Sequence, residues 1–309
     1  MLFNIVGNSL RNLSSMLRYT TCVSLFLIAC LGLVSCTSLG VLNAVAPKDD
    51  NTLEVVTGIS YGSHQRQQLD IYLPKGVDEL APVIMFLYGG SWKNGKRQDY
   101  AFVGHAFNTK GYITVLPDYR LVPEIRYPDF LIDNANALLW VYNHIEQYGG
   151  DQNRIFVVGH SAGAYNGVML GLADALFSSQ DLDLPVISGF AGLAGPYDFL
   201  PLAFDSTKDA FGEVSDLDST QPVNLVSSSA PPMILITGTD DKLVLPKHSF
   251  ALHDSATSKG AESTLVTYQD VGHIALLLSL SKPFRNNSTA LEDVVNFFQG
   301  IKAVNQPET

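Results

Sequence analysis

The sequence predicts one doubly wound α/β domain behind a distinct N-terminal leader, and three observations carry that expectation. Short continuous apolar runs, VIMFL at 83–87, ITVL at 113–116, IFVV at 155–158 and MILIT at 233–237, are bounded by glycine and proline. Strands buried on both faces have this form. Stretches with apolar residues at helical spacing lie between them, the alternation of a mostly parallel sheet covered by helices. Apolar residues make up 46% and charged residues 16% of the 309 residues, a composition that builds a sizeable core rather than a disordered chain.

Residues 1–35 are a different material. Arg11 and Arg18 are their only charges, and Val23–Val34 is almost wholly apolar. A basic start, an apolar run and a small-residue end make a secretory signal. Leu33-Val34-Ser35-Cys36 resembles a bacterial lipobox, which implies cleavage before Cys36 and acylation of that cysteine. An uncleaved anchor is the rival reading, but Tyr19–Ser35 lies at the lower edge of the length that spans a bilayer. Cys22, Cys30 and Cys36 are the only cysteines, so cleavage would leave one, at the lipidated end, and exclude a disulfide framework or thiolate metal site. By the same resemblance, Thr37 points to the outer membrane if the cell is Gram-negative. Losing the leader takes the net charge from −11 to about −13, which suits a soluble body tethered by lipid. Basic residues are scattered, so no nucleic-acid footprint is expected.

Residues 36–52 read as a tether and 53–303 as the folded domain. Leu53–Ser60 and Leu69–Leu73 are strand-like and start a hairpin. Helical patterns cover Asp129–Tyr148, Ala162–Leu176, Pro246–Lys259 and Ala290–Ile301, and Ser263–Tyr268 is a further strand. Residues 197–230 break the rhythm with Pro201, Asp205, Asp209 and Asp216; they are expected to form a cap-like insertion over the top of the sheet.

In such sheets ligands sit beyond the carboxyl ends of the strands, so chemistry is sought just after each one. After RIFVV comes Gly159-His160-Ser161-Ala162-Gly163 and then a helix. G-x-S-x-G at a strand-to-helix turn lifts the serine hydroxyl off the backbone and demands small residues on either side. Serine needs an adjacent base. His64, His105 and His144 precede the motif, His248 and His253 show no convergence, and His160 reads as packing. His273 follows a strand and the turn QDVG, where an imidazole can take and return a proton. The base needs an acid to hold its tautomer, and TGTDDKLV offers Asp241, preferred on position, with Asp240 as the alternative. Asp118 and Arg120 in PDYRL read as a tie between loops, and Trp92, Tyr119 and Trp140 as packing. No histidine or carboxylate pair has metal-ligand spacing, so neither metal nor cofactor is expected.

Together, LDIYLP, FLYGGSW, PDYRL, YGGDQNRIFVVGHSAGAY, ITGTDDKLV and VGH resemble the α/β-hydrolase superfamily, in the esterase branch whose oxyanion loop reads HGGxW. That branch includes feruloyl-esterase-like enzymes and kynurenine formamidases. The resemblance implies an eight-stranded, mostly parallel sheet with helices on both faces, and Ser161, Asp241 and His273 in the order expected of that fold. It also implies an oxyanion hole of backbone N–H groups from Gly90, Ser91 and Ala162. The expected activity is hydrolysis of a small carboxylic ester, with arylformamidase or another amide hydrolysis as the rival. A non-catalytic binding protein on the same fold is a more distant one. The family has histidine where this chain has Tyr88, a side chain that would brace the loop through one hydroxyl on a longer arm, or not at all.

Overall fold

The computed structural model describes residues 38–77, 79–185 and 187–301; the expected signal at 1–35 and Cys36 lie outside them. The chain divides after Val45. Before that point the described part is helix α1 (Ser38–Val45), which carries no charge. It lies within the stretch expected to be a tether. After the division, Asp49 is held by a two-pronged ion pair with Arg285 (3.0 and 2.7 Å) and Asp50 by Lys75 (2.8 Å), so the end of that stretch is pinned to the domain.

The strands are β1 (Thr52–Ser60), β2 (Gln68–Pro74), β3 (Ala81–Leu87), β4 (Ile113–Pro117), β5 (Gly150–His160), β6 (Gly189–Leu193), β7 (Met233–Gly238) and β8 (Ser263–Tyr268). They form one sheet in the order β1-β2-β4-β3-β5-β6-β7-β8. β1 pairs antiparallel with β2 and β2 antiparallel with β4, while every pairing from β4 to β8 is parallel. Every residue of β4, β6 and β7 is buried, so both faces of the sheet centre are covered, as parallel sheets require. This is the α/β-hydrolase fold. Among the described residues no helix is long and apolar enough to cross a membrane.

Helices α2 (Ala101–Asn108), α3 (Asp129–His144), α4 (Ala162–Leu172), α5 (Asp174–Ser178), α6 (Asp205–Phe211), α7 (Pro222–Leu225), α8 (Lys247–Ser258), α9 (His273–Leu278) and α10 (Ala290–Gly300) connect or cover the strands. Two differences from the sequence expectation have clear causes. β6 has no strand signal in the sequence reading, because GFAGL is short and two of its residues are glycines, which weaken strand propensity; burial between β5 and β7 makes it a strand. The helix expected over Ala162–Leu176 ends at Leu172 and restarts at Asp174.

The antiparallel β1–β2 hairpin matters for position. β2 starts beside Pro117, with Leu69 opposite that residue, so the turn at 61–67 comes to the carboxyl edge of the parallel strands. That edge is where the candidate site lies.

Candidate active site

Ser161 sits between β5 and α4 with φ 56° and ψ −127°, a conformation that costs an L-residue energy and persists only where the surroundings impose it. Its own N–H donates to Leu193 O at the end of β6 (2.9 Å). Gly163 shows why the turn needs glycine: a Cβ there would lie 2.1 Å from Leu87 O and 2.5 Å from Tyr88 O. The start of α4 therefore abuts the end of β3, and the serine is brought beside the loop that follows β3.

That loop, Tyr88-Gly89-Gly90-Ser91-Trp92, uses its two glycines differently. Gly89 makes the close approach: a Cβ on it would meet Ser161 Cβ at 2.7 Å. Gly90 makes the turn, with φ +132°, its carbonyl accepting the N–H groups of Lys93 (3.1 Å) and Asn94 (3.0 Å). Ser91 and Trp92 follow in left-handed conformation (φ 56° and 58°). The carbonyls fix where the donors aim, because C=O and N–H point opposite ways across a planar trans peptide. Tyr119 Oη donates to Tyr88 O (3.1 Å) and Tyr100 Oη to Gly89 O (3.3 Å), so the N–H of Gly90 is turned away from Tyr100. Likewise the N–H of Ser91 is turned away from the 90–94 turn. Ala162 N is the first amide of α4 and has no partner within the helix. Among the described residues, no hydrogen-bond acceptor takes the N–H of Gly90, Ser91 or Ala162.

His273 opens α9, and its Nδ1 lies 2.7 Å from Asp241 Oδ2; the pair is buried, with Asp241 1% exposed. A carboxylate only accepts, so Nδ1 carries the proton and Nε2 keeps a free lone pair. Asp241 Oδ1 accepts the N–H groups of Leu243 (2.9 Å) and Val244 (2.8 Å), which locks the carboxylate in place. Asp240, the alternative acid, is exposed and pairs with Lys242 instead (2.9 Å).

Two residues given no chemical role by the sequence reading, His160 and Tyr88, are built into this arrangement. His160 does more than pack: its Nε2–H donates to the His273 carbonyl (3.2 Å), and the two rings are 4.6 Å apart. Burial, with the neighbouring His273 second, holds the His160 pKa well below the ordinary value, so it stays neutral. Its place inside the G-x-S-x-G motif was the only available sign. Tyr88 does brace the loop through its hydroxyl, which donates to Asp118 Oδ1 (2.8 Å) and accepts from Arg66 Nη2 (2.8 Å). Burial above all, then Asp118, raises the phenol pKa well above its ordinary value, so it remains a donor. Its ring stacks on Tyr100 (5.1 Å) and Tyr119 (4.9 Å).

Asp118 and Arg120 tie loops together: Asp118 is gripped by Arg97 through backbone and side chain, and Arg120 clamps buried Asp133. Trp92 and Tyr119 are buried, whereas Trp140 is half-buried and stacks on His144 (4.7 Å). The 197–230 segment reaches the loop directly. Phe199 and Phe211 join Trp92 and Tyr165 in one aromatic cluster, and Asp209 pairs with Lys93 (2.7 Å). His64, His105, His144 and His253 make contacts elsewhere. Among the described residues no group of three or more His, Cys, Asp or Glu side chains could hold a metal ion.

The sequence matches the profile of the BD-FAE family over residues 69–255, a span that contains Ser161 and Asp241. The chain belongs to the BD-FAE family. Curated relatives include a probable isoprenylcysteine alpha-carbonyl methylesterase, ICMEL1, of Arabidopsis thaliana, 29% identical over 78% of this chain and 55% of that protein. Another is esterase LipC of Mycobacterium tuberculosis, 29% identical over 60% of this chain and 51% of that protein. The chain thus spans about half the length of these relatives. Esterase B from Lactobacillus rhamnosis superposes with a TM-score of 0.75 over 92% of this chain and 94% of that one, at 18% identity. A truncated carbohydrate esterase from gut microbiota does so at 0.71 over 82% and 98%, at 21% identity. These likenesses establish the fold that this BD-FAE member shares with them.

Proposed function

We propose that this BD-FAE member is a serine hydrolase that cleaves a small carboxylic ester through an acyl-enzyme. The observation that carries the reading is the buried 2.7 Å contact between His273 Nδ1 and Asp241 Oδ2, which leaves Nε2 as a base. Ser161 Oγ attacks the acyl carbonyl carbon and passes its proton to His273 Nε2. The carbonyl oxygen becomes an oxyanion and takes hydrogen bonds from the N–H groups of Gly90, Ser91 and Ala162, an effect worth a few kcal/mol per donor. Asp241 stabilises the imidazolium that forms. His273 then protonates the departing alcohol, and a water activated by the same nitrogen releases the acid and frees Ser161. The names of the relatives, methylesterase and esterase, support an ester over an amide as the bond cleaved.

A fluorophosphonate probe tests the nucleophile: an adduct is expected on Ser161 and none on Ser161→Ala. p-Nitrophenyl acetate and butyrate are expected to turn over faster than a formyl-aryl amide; equal or faster amide turnover overturns the ester assignment. The export and anchor belong to the same proposal. A leader at 1–35 would be cleaved and Cys36 acylated, leaving an exported, membrane-tethered enzyme, in the outer membrane if the cell is Gram-negative. The support is the basic–apolar–small pattern ending in LVSC. Mass spectrometry of the native N-terminus should find diacylglycerol on Cys36; an intact Met1 refutes it.

A further inference from the structure

Arg66 lies in the β1–β2 turn, far in sequence from every residue given a chemical role above, yet its side chain spans the loop that carries Gly90 and Ser91. Its Nη2 donates to Tyr88 Oη and to Gly95 O, both at 2.8 Å, and its Nε donates to Tyr119 O at 2.8 Å. Tyr88 precedes the loop's glycines and Gly95 follows its tight turn, so one guanidinium holds both ends of the segment 88–95. The third contact fixes Tyr119, whose hydroxyl holds Tyr88 O and whose ring stacks on Tyr88. Beneath them Tyr88 Oη donates to Asp118, and Asp118 accepts from Arg97, which in turn donates to Asp70 of β2 (2.8 Å).

We propose that Arg66 is a positioning residue for the oxyanion donors, acting from the hairpin turn through Tyr88 and Gly95. This rests on the ester-hydrolase reading and deepens it. A planar fork with five donors can satisfy three acceptors, two on the segment 88–95 and one at Tyr119, at once; a lysine ammonium, a point donor on a flexible stem, does so poorly. The hairpin is separated from β3 by β4, so nothing in the pairing of the sheet requires its turn to touch the loop after β3. Arg66 does so while its side chain keeps 24% exposure, unlike Arg97 at 7%. A loose loop would still admit the ground-state ester, but it would aim its N–H groups less well at the oxyanion. The loss therefore belongs to kcat and not to KM.

The test compares Arg66→Ala, Arg66→Lys and Tyr88→Phe with the unaltered protein and with Arg126→Gln, a charge change at the surface pair with Glu213. Hydrolysis of p-nitrophenyl acetate, the rate of fluorophosphonate labelling and the thermal midpoint are measured on each. Arg66→Ala is expected to lower kcat ten- to a hundredfold with KM within threefold, and to slow labelling in parallel. Arg66→Lys should recover part of this rate. Tyr88→Phe should lose less than Arg66→Ala, and the double variant less than the product of the two. Arg126→Gln should match the unaltered protein. A folded Arg66→Ala with kcat within threefold overturns the proposal. So do losses across the series that follow the thermal midpoint alone, with Arg66→Lys available should the alanine variant not fold. If the unaltered protein takes no probe at Ser161, the ester-hydrolase reading itself falls and this proposal with it. If it labels and Arg66→Ala labels equally fast, only this proposal falls.

Discussion

At the residue scale the two carboxylate oxygens of Asp241 have different partners. Asp241 Oδ1 accepts two backbone N–H groups while Oδ2 faces His273 Nδ1. In Asp241→Asn the side-chain oxygen must stay on the two N–H groups, so the amide NH2 faces Nδ1. The imidazole then has to accept at Nδ1 and carry its proton on Nε2, where the base is needed. Its kcat for p-nitrophenyl acetate should fall on the order of a thousandfold or more, with little change in thermal midpoint. Asp240→Asn removes an exposed pair with Lys242, and its kcat should stay within about twofold because such pairs contribute little. A large loss in the second variant and a small one in the first would reverse the assignment.

At the element scale the question is what holds the 197–230 segment against the loop after β3. It carries α6 and α7, and its contacts divide into a surface ion pair and a buried aromatic cluster. Lys93 and Asp209 are 37% and 45% exposed, so Asp209→Asn should leave the urea denaturation midpoint nearly unchanged. Phe211 is fully buried, with ring contacts to Trp92 (4.9 Å), Phe199 (5.1 Å), Tyr165 (5.4 Å) and Phe130 (5.7 Å). Phe211→Ala opens a cavity at the centre of that cluster and should cost about 3–5 kcal/mol. Trp92 directly follows Ser91, so the same variant should lose activity at temperatures where it is still folded. If Asp209→Asn cost more than Phe211→Ala, charge and not packing would hold the segment.

At the scale of the whole molecule, one buried and two half-buried histidines link stability to pH. Burial is the first cause of the lowered pKa of His160, His105 and His248. In the unfolded chain each titrates near the ordinary value of about 6.5. Below that pH the unfolded state therefore binds more protons than the folded one, and stability falls as pH falls. The contribution is complete above about pH 6.5 and is lost on acidification towards the depressed folded values. For His160, fully buried, the slope approaches about 1.4 kcal/mol per pH unit. Urea denaturation between pH 7.5 and 5.5 should show this decline, and His160→Gln should make it shallower. An unchanged slope in that variant would show that His160 is charged in the folded protein.

Local pattern was enough for much of this protein. Buried strands announce themselves as continuous apolar runs, so β3, β4, β5 and β7 were legible, and G-x-S-x-G marked Ser161 because a strained turn needs small residues at fixed offsets. His273 and the Asp240–Asp241 pair were legible as residues that follow strands. Which aspartate faces the histidine was not, since adjacent residues differ only in where the turn points them. β6 was hidden because its strand character comes from neighbours on both sides and not from its own residues. Arg66 carried no signal at all: its partners Tyr88, Gly95 and Tyr119 lie 22 to 53 positions away, and only folding of the antiparallel hairpin onto the sheet edge brings them together. Local pattern thus carried the strands other than β6, the turn at Ser161 and the chemical types available at the strand ends. The tertiary structure alone decided their pairing, because hydrogen-bond direction depends on contacts between segments that sequence spacing does not encode.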